Sequence, residues 1–407
     1  MKAVFCFFIF VILLLSCTKN GSNVNTNEII HSNIIKVDLD NAEKKDSIAV
    51  SELFKSIKCI PLEFTDNSII GGIEKILVYK NYIYVLENST VRNLFVFNME
   101  GHFIRKIGNK GGGPADHVRI SDFTIDTDND ELIIMDVRKM LFFDILTGQF
   151  KKTVSCPKRD DLTSIMYHNG KIYADLYEYS KTRDDFYLMQ SINLSDGKQD
   201  GKYLQLNQYN KGWNERVQIE VPPCIPLLDS QLLFRQLFMN IVFTITSQGP
   251  TPFFIIESKD FVSEKDLDFI KGLDNKRGLV IFSIFNSLNR KNKIYSISGY
   301  FINDEHIYFQ FQKGSQIQSA LYNNETDKTQ VYNVIINDLL YKQGARDRGN
   351  FKPRFFDKSG VYEYVNVLSI PDFLESIKKG EINDLFKNQL QDLNEESNPI
   401  LFYYEFK

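Results

Sequence analysis

The chain has 407 residues, with 48 Lys and Arg against 52 Asp and Glu and a formal net charge of −4. These charges are spread along the chain and not gathered into basic runs, which argues against nucleic acid or another polyanion as the partner. Aromatic residues make up 13% of the sequence, with 33 Phe and 20 Tyr, a composition suited to many half-buried strands.

The first 16 residues read as a lipoprotein signal peptide. Lys2 supplies the positive start, and Val4 to Leu15 is an apolar run too short to span a bilayer. It ends in Leu14-Leu15-Ser16-Cys17, which resembles a bacterial lipobox. On this reading Cys17 carries the lipid; the plainer reading is an ordinary signal peptide with an incidental Cys. Residues 17–33 form the anchor and a polar Asn/Ser tether, and 34–407 a single propeller domain. No later apolar run approaches the ~20 residues of a spanning helix. Of the remaining cysteines, Cys59, Cys156 and Cys224 lack CxxC spacing. Three small buried side chains or one disulfide both fit them.

Beyond the tether, one short pattern recurs six times: a turn of Asp, Asn, Gly or Ser, then a pair of β-favouring residues. The pairs are Ile83-Tyr84, Ile133-Ile134, Ile172-Tyr173, Leu233-Phe234, Ile307-Tyr308 and Val361-Tyr362. Units of this size that cannot bury their own faces must stack on copies of themselves. Six of them predict an all-β fold, a six-bladed β-propeller of antiparallel four-stranded blades.

Blade 1 is expected at Ile73 to Tyr79, Tyr82 to Leu86, Asn93 to Phe97 and Phe103 to Ile107. Blade 2 is expected at Phe123 to Ile125, Leu132 to Asp136, Met140 to Asp144 and Phe150 to Val154. Blade 3 starts near Ser164. Blade 4 reads as Leu232 to Phe238, Asn240 to Thr246 and Pro252 to Ile256. Blade 5 holds hairpins at Ile302 to Phe311 and Tyr322 to Val331, and blade 6 begins at Val361 to Val365. Short helical insertions are expected near 263–272, where Ser263 and Asp266 form a capping pattern, and near 371–393. The strand Ile57 to Phe64 opens the body and Ile400 to Phe406 ends it. A ring must close or leave open edges, so these two are expected to share blade 6.

In such a ring the strand 2–3 loops and the connections between blades share one face. That brings Glu87, Arg92, Lys110, His117, Arg119, Asp136, Arg138, Asp175 and Tyr177 together as candidate ligand-binding residues, with Glu178, Tyr179 and Arg183 nearby. Mixed charges and exposed rings suit a glycan or a peptide; a solvated rim with scattered ion pairs is the plainer alternative. Gly111 to Gly113 lack the following helix of a phosphate cradle and read as a tight crossing between blades. Asp126, Asp128 and Asp130 begin like a calcium loop, but the Gly and the final acid of that loop are missing, so Asx turns are expected. His31, His102, His117, His168 and His306 show no metal-ligand spacing. No metal site, cofactor or catalytic set is assigned.

Several passages resemble the six-bladed β-propeller lipoproteins of Gram-negative gut anaerobes, which are related to NHL-repeat propellers. These are Ile60-Pro61-Leu62-Glu63 with Asp66, Ser68, Ile69, Ile70 and Gly71; Ile107-Gly108 with Gly111 to Pro114; Tyr322 to Thr326; and Asn398-Pro399-Ile400-Leu401. The glycine loop reads Gly-Gly-Pro-Ala-Asp where that family more often has Gly-Pro-Gly-Glu. The resemblance implies the propeller fold, a cell-envelope location as an outer-membrane lipoprotein, and association with nutrient uptake. Acidic residues after the lipidated Cys favour surface export in related bacteria. Thr18 to Ser22 carry none, so the periplasmic and surface sides both stay open. The reading that follows is a non-enzymatic, membrane-anchored accessory protein that holds a glycan, peptide or protein partner, with an outer-membrane uptake complex as an expected partner. The alternatives are a propeller hydrolase or lyase acting on glycans or peptides, and a structural subunit of an outer-membrane complex.

Overall fold

Six antiparallel sheets are arranged as the blades of a β-propeller ring, with a few short helices between their strands. The computed structural model describes residues 34–87, 92–156, 164–176, 187–209, 227–228, 231–268, 277–345 and 351–407. Tyr177 and Cys17 lie outside them, as do Glu178, Tyr179, Arg183 and Cys224. Blade 1 comprises Ile73–Tyr79, Tyr82–Glu87, Asn93–Asn98 and Phe103–Ile107. Blade 2 comprises Ile120–Asp126, Glu131–Asp136, Lys139–Asp144 and Phe150–Ser155. In both blades the sequence reading and the structure agree to within a few residues.

Each second strand presents one side to the preceding blade and the other to the next. Ile83 and Val85 pack towards blade 6, while Tyr84 and Leu86 pack towards blade 2. The repeating pairs that are truly in phase in blades 2 and 4 are Leu132-Ile133 and Leu232-Leu233. The sequence reading placed both one residue late, which reverses the faces. Blade 4's second strand stops at Phe234, not Phe238, and blade 5's first hairpin begins at Ile294.

The turn between strands 3 and 4 is the more regular repeat unit. Asn98, Asp144, Asn193 and Asn323 end the third strands of blades 1, 2, 3 and 5. Each side-chain oxygen accepts from backbone N–H groups of its own turn, the Asx-turn device. In blades 1 and 3 the turn ends in a left-handed glycine that packs on the preceding blade. A Cβ on Gly101 would stand 2.1 Å from Pro61 O, and one on Gly197 would stand 2.1 Å from Ser155 O.

The ring closes as the terminal segments suggested. The N-terminal strand β3 (Phe54–Pro61) is the outer strand of blade 6, antiparallel to the C-terminal strand Ile400–Phe406. Two earlier strands were not foreseen. β1 (Ile35–Asp38) adds in parallel to Gly249–Glu257 of blade 4, and β2 (Glu43–Ala49) adds in parallel to Lys328–Ile336 of blade 5. Blades 4 and 5 are therefore five-stranded, and the body does not open at Ile57.

The helical insertions also differ in part. Glu264–Leu267 forms as expected, with the Asp266 carboxylate accepting from Ser263 N at 3.0 Å and Ser263 Oγ at 2.7 Å. Helical segments Ile370–Lys378 and Lys387–Leu390 fill the second expected stretch. The longest helix among the described residues, Arg277–Arg290, was not foreseen; it buries Ile284 and Leu288 against the blade 5 core. Cys59 and Cys156 are buried thiols outside any disulfide.

Removing residues 400–407 takes away the partner of both Gly360–Val365 and β3. Cooperative unfolding is expected to be lost or the urea midpoint to fall sharply. An unchanged midpoint measured by circular dichroism would mean that closure does not hold the ring.

Candidate functional site

The loop face of blades 1 and 2 is built around buried acids. Glu87 and Asp136 end the second strands of these blades at the same register position, opposite a bulge in the first strand. Their exposures are 0% and 2%. The Asp136 carboxylate accepts from the backbone N–H groups of Val118 (3.0 Å), Arg119 (2.9 Å) and Val137 (2.8 Å). Glu87 accepts from Arg92 N at 2.9 Å. Asp175, one register step earlier in blade 3 and also 0% exposed, accepts from Ser164 N at 3.0 Å. Of the candidate ligand residues, these three face inward and tie the loops to the blades. Orphan backbone donors explain why acids stand there.

The basic candidates behave differently. Lys110, Arg119 and Arg138 are exposed. Arg92 is half-buried in the left-handed conformation, with φ 53°. The crossing from blade 1 to blade 2 lies over blade 2's loop: Lys139 Nζ donates to Asp116 O at 2.7 Å, and Val118 and Arg119 are held by Asp136. Arg119 and Arg138 thus flank one acid. Gly111 to Gly113 make the expected tight crossing, with Gly111 N donating to His117 O and Gly113 N to the Asp116 carboxylate. His117 is 1% exposed, and both its ring nitrogens lack a hydrogen-bond partner. Burial pushes its imidazole below the ordinary value, so the ring is neutral at pH 7.

A second group of residues, not signalled by the sequence pattern, sits where the innermost strands begin. Lys75 in blade 1 donates to the Asp122 carboxylate, Phe123 O and Ile165 O, each at 2.8 Å. It thereby links the first strands of blades 1, 2 and 3. Asp122 also accepts from Ile165 N at 2.6 Å. Beside this pair stands Glu74, exposed, its carboxyl raised by partial burial and by the Asp122 charge, against Arg92 and Lys75. From blade 6, Tyr364 donates to Ile73 O at 3.5 Å, with the Arg354 guanidinium 5.5 Å from its ring centre. Glu74, Lys75, Asp122 and Tyr364 were missed because they stand inside strands and not in turns or loops.

Between blades 5 and 6 runs a third polar seam. Glu363 is half-buried and accepts from Lys352 N (2.9 Å) and Tyr404 Oη (3.0 Å), while Asn337 Nδ2 donates to Tyr404 Oη at 2.7 Å. Burial pushes the Glu363 carboxyl up to about 7, against these hydrogen bonds and the charges of Arg354 and Lys352.

The acidic triplet of blade 2 forms turns and cross-blade bonds. Asp126 accepts from Asp128 N and Asn129 N, Asp128 from Tyr167 Oη, and Asp130 from Tyr79 Oη and Lys80 Nζ. Among the described residues no group of three His, Cys, Asp or Glu side chains is placed to hold a metal ion. Among them, too, no helix is long and apolar enough to cross a membrane.

The family of unknown function DUF4934 matches residues 33–405. The chain belongs to the DUF4934 family. No curated protein matches it. A crystal structure of a protein assigned to export in Bacteroides fragilis is 18% identical, with a TM-score of 0.67. It matches over 92% of this chain and 100% of its own. A DUF4221 member from Bacteroides vulgatus is 10% identical, with a TM-score of 0.47, over 87% of this chain and 97% of its own. At 18% identity the first of these speaks to the fold alone.

Two consequences follow for this DUF4934 member. Asp136→Ala leaves three backbone donors without their acceptor and is expected to cost about 2–4 kcal/mol in urea unfolding. A loss below 0.5 kcal/mol would free Asp136 from its structural role. Glu363 ionises less readily in the folded chain than in the unfolded one, so folding is favoured while it is protonated. Its contribution is full below about pH 4.5 and is lost as the pH rises through about 7. Glu363→Gln is expected to flatten that part of the melting-temperature profile and to raise the melting temperature at pH 8 relative to the parent.

Proposed function

We propose that this protein is a lipid-anchored accessory protein of the cell envelope that holds an anionic ligand on the loop face, a carboxylate-bearing glycan or peptide. The observation that carries this reading is the sorting of charge. The acids Glu87, Asp136 and Asp175 are buried and bonded to backbone amides, while Lys110, Arg119 and Arg138 face solvent. Among the described candidate residues the exposed charge is therefore cationic, on a chain of net charge −4. Arginine forks suit carboxylates, and such contacts weaken with salt. The envelope location rests on the leader ending at Cys17, and the likeness to a Bacteroides protein assigned to export supports it. A role within an outer-membrane uptake complex accords with this location.

A second reading, a hydrolase or lyase, is favoured by one observation: the half-buried Glu363 with its carboxyl pushed up to about 7. That value suits a proton donor at neutral pH. Product release from a glycan or peptide substrate, abolished in Glu363→Gln, would select it.

Calorimetric titration of the full-length chain with oligogalacturonate, a neutral oligosaccharide of equal length and a carboxylate-terminated peptide tests the main reading. An acidic ligand is expected to bind, with affinity at least tenfold lower in the Arg92→Ala/Arg119→Ala/Arg138→Ala variant and falling with added salt. Equal affinity in parent and variant would sink it.

A further inference from the structure

We propose a second binding site, for a neutral sugar ring, in a cleft of about 360 Å³ on the outer half of blade 1. It lies where the connection from blade 6 passes the third and fourth strands of blade 1. Phe95 and Phe103 form its floor, with ring centres 6.2 Å apart. Ile69, 47% exposed, forms an apolar edge. Asp66, Asn67, Asn93 and Lys106 stand around it. The volume is at the low end of the ~300–1,000 Å³ of small-molecule sites, suited to one or two rings.

The first argument is the state of the polar groups. Among the described residues, the side chains of Asp66, Asn67, Asn93 and Lys106 have no hydrogen-bond or ion-pair partner. In the turn between strands 3 and 4 of the same blade, by contrast, the Asn98 side chain caps the backbone. Together the four offer carboxylate and carbonyl acceptors with ammonium and amide donors. A sugar needs that mixture, because each hydroxyl both donates and accepts. Phe103 and Ile69 offer apolar surface to the C–H face of a ring.

Charge narrows the class. Arg105 also borders the cleft, but its guanidinium donates to Leu146 O of blade 2. The two charged heads without a partner, Asp66 and Lys106, carry opposite signs, so a ligand of either net charge meets a like charge where an uncharged ring does not. This differs from the cationic loop face, and the two sites share no residue.

The second argument is pre-organisation. The segment carrying Asp66 and Asn67 is clamped by Asn398, which is 2% exposed. Its Nδ2 donates to Glu63 O at 2.8 Å and Ser68 O at 2.6 Å, and its Oδ1 accepts from Ile70 N at 2.9 Å. Ser68 Oγ donates to Glu63 O at 2.8 Å and accepts from Thr65 N at 2.9 Å. The tip is thus held rigid from beneath while its outward side chains stay unpaired. Fixing a loop before binding lowers the ordering cost of a ligand.

Saturation-transfer NMR on the full-length chain tests the site. The probes are glucose, galactose, mannose, xylose, maltose and cellobiose, with alanine and diglycine as zwitterionic comparators. At least one neutral sugar is expected to show transfer, strongest at its ring C–H protons. Its affinity should fall at least tenfold in both Asp66→Ala and Lys106→Ala, whose exposed positions leave the melting temperature unchanged. The Arg92→Ala/Arg119→Ala/Arg138→Ala variant should bind the sugar as the parent does. The proposal is overturned if no sugar shows transfer, if only the zwitterions do, or if sugar affinity survives both single substitutions.

Discussion

The pairing of β3 with the C-terminal strand is the constraint on which the rest depends. Blades laid down in chain order leave two open edges, one at each end of the row. Here the outer strand of the last blade comes from the start of the body, so neither edge remains. The seam is held by more than its ladder. Phe54 stacks on Phe406 at 5.5 Å and meets Phe301, Phe351 and Tyr404 within 5.7 Å. Lys55 pairs with Glu405 at 2.8 Å, an exposed contact of small worth beside the buried rings. The strands before β3 extend the seam. β1 and β2 run parallel to the outer strands of blades 4 and 5, a geometry that needs a long connection. The intervening 200 or more residues of the ring supply it. One N-terminal segment thus binds three successive blades and covers two of their outer edges.

Blades 1 and 2 were legible because their strands alternate cleanly and their turns carry Asn, Asp and Gly at places with a physical requirement. The strap was not. Glu43 to Asp46 is a charged run, and β2 buries little beyond Ile48. An added outer strand has one partner and one half-wet face, so neither alternation nor composition marks it. The helix Arg277–Arg290 failed for the opposite reason. Leu279, Val280, Ile281, Phe282, Ile284 and Phe285 are β-favouring or aromatic by number. Their helical spacing shows only once Ile284 and Leu288 are seen buried while Phe282 is 71% exposed. The repeat itself was found through its noisier half. Strand 2 pairs slip by one residue without losing apolar character, whereas the Asx at the end of strand 3 tolerates no slip, because its oxygen must reach its own turn.

The candidate site shows the same limit. Topology brings the blade 1–2 crossing and the blade 2 loop together, and they do meet. It gave no sign of which charged side chains face water. An acid at the end of a strand looks alike in sequence whether it waits for a ligand or closes a loop. What separates them is the number of backbone donors left over, and that depends on the bulge and the crossing. Asp136 serves three such donors, which leaves its carboxylate largely occupied.

The two interior ionisable clusters can be told apart on the same ground. Lys75 has three donors, and Asp122, Phe123 O and Ile165 O take one each. With its capacity filled, it fixes how three blades sit together. Breaking such a pair leaves a buried charge and is costly, whereas the pair itself adds little net stability. Glu74, the adjacent residue, is the reverse case: exposed, its carboxyl raised, and facing Arg92 without a bond to it. Glu74 thus stands exposed beside a filled pair that fixes the strand carrying it.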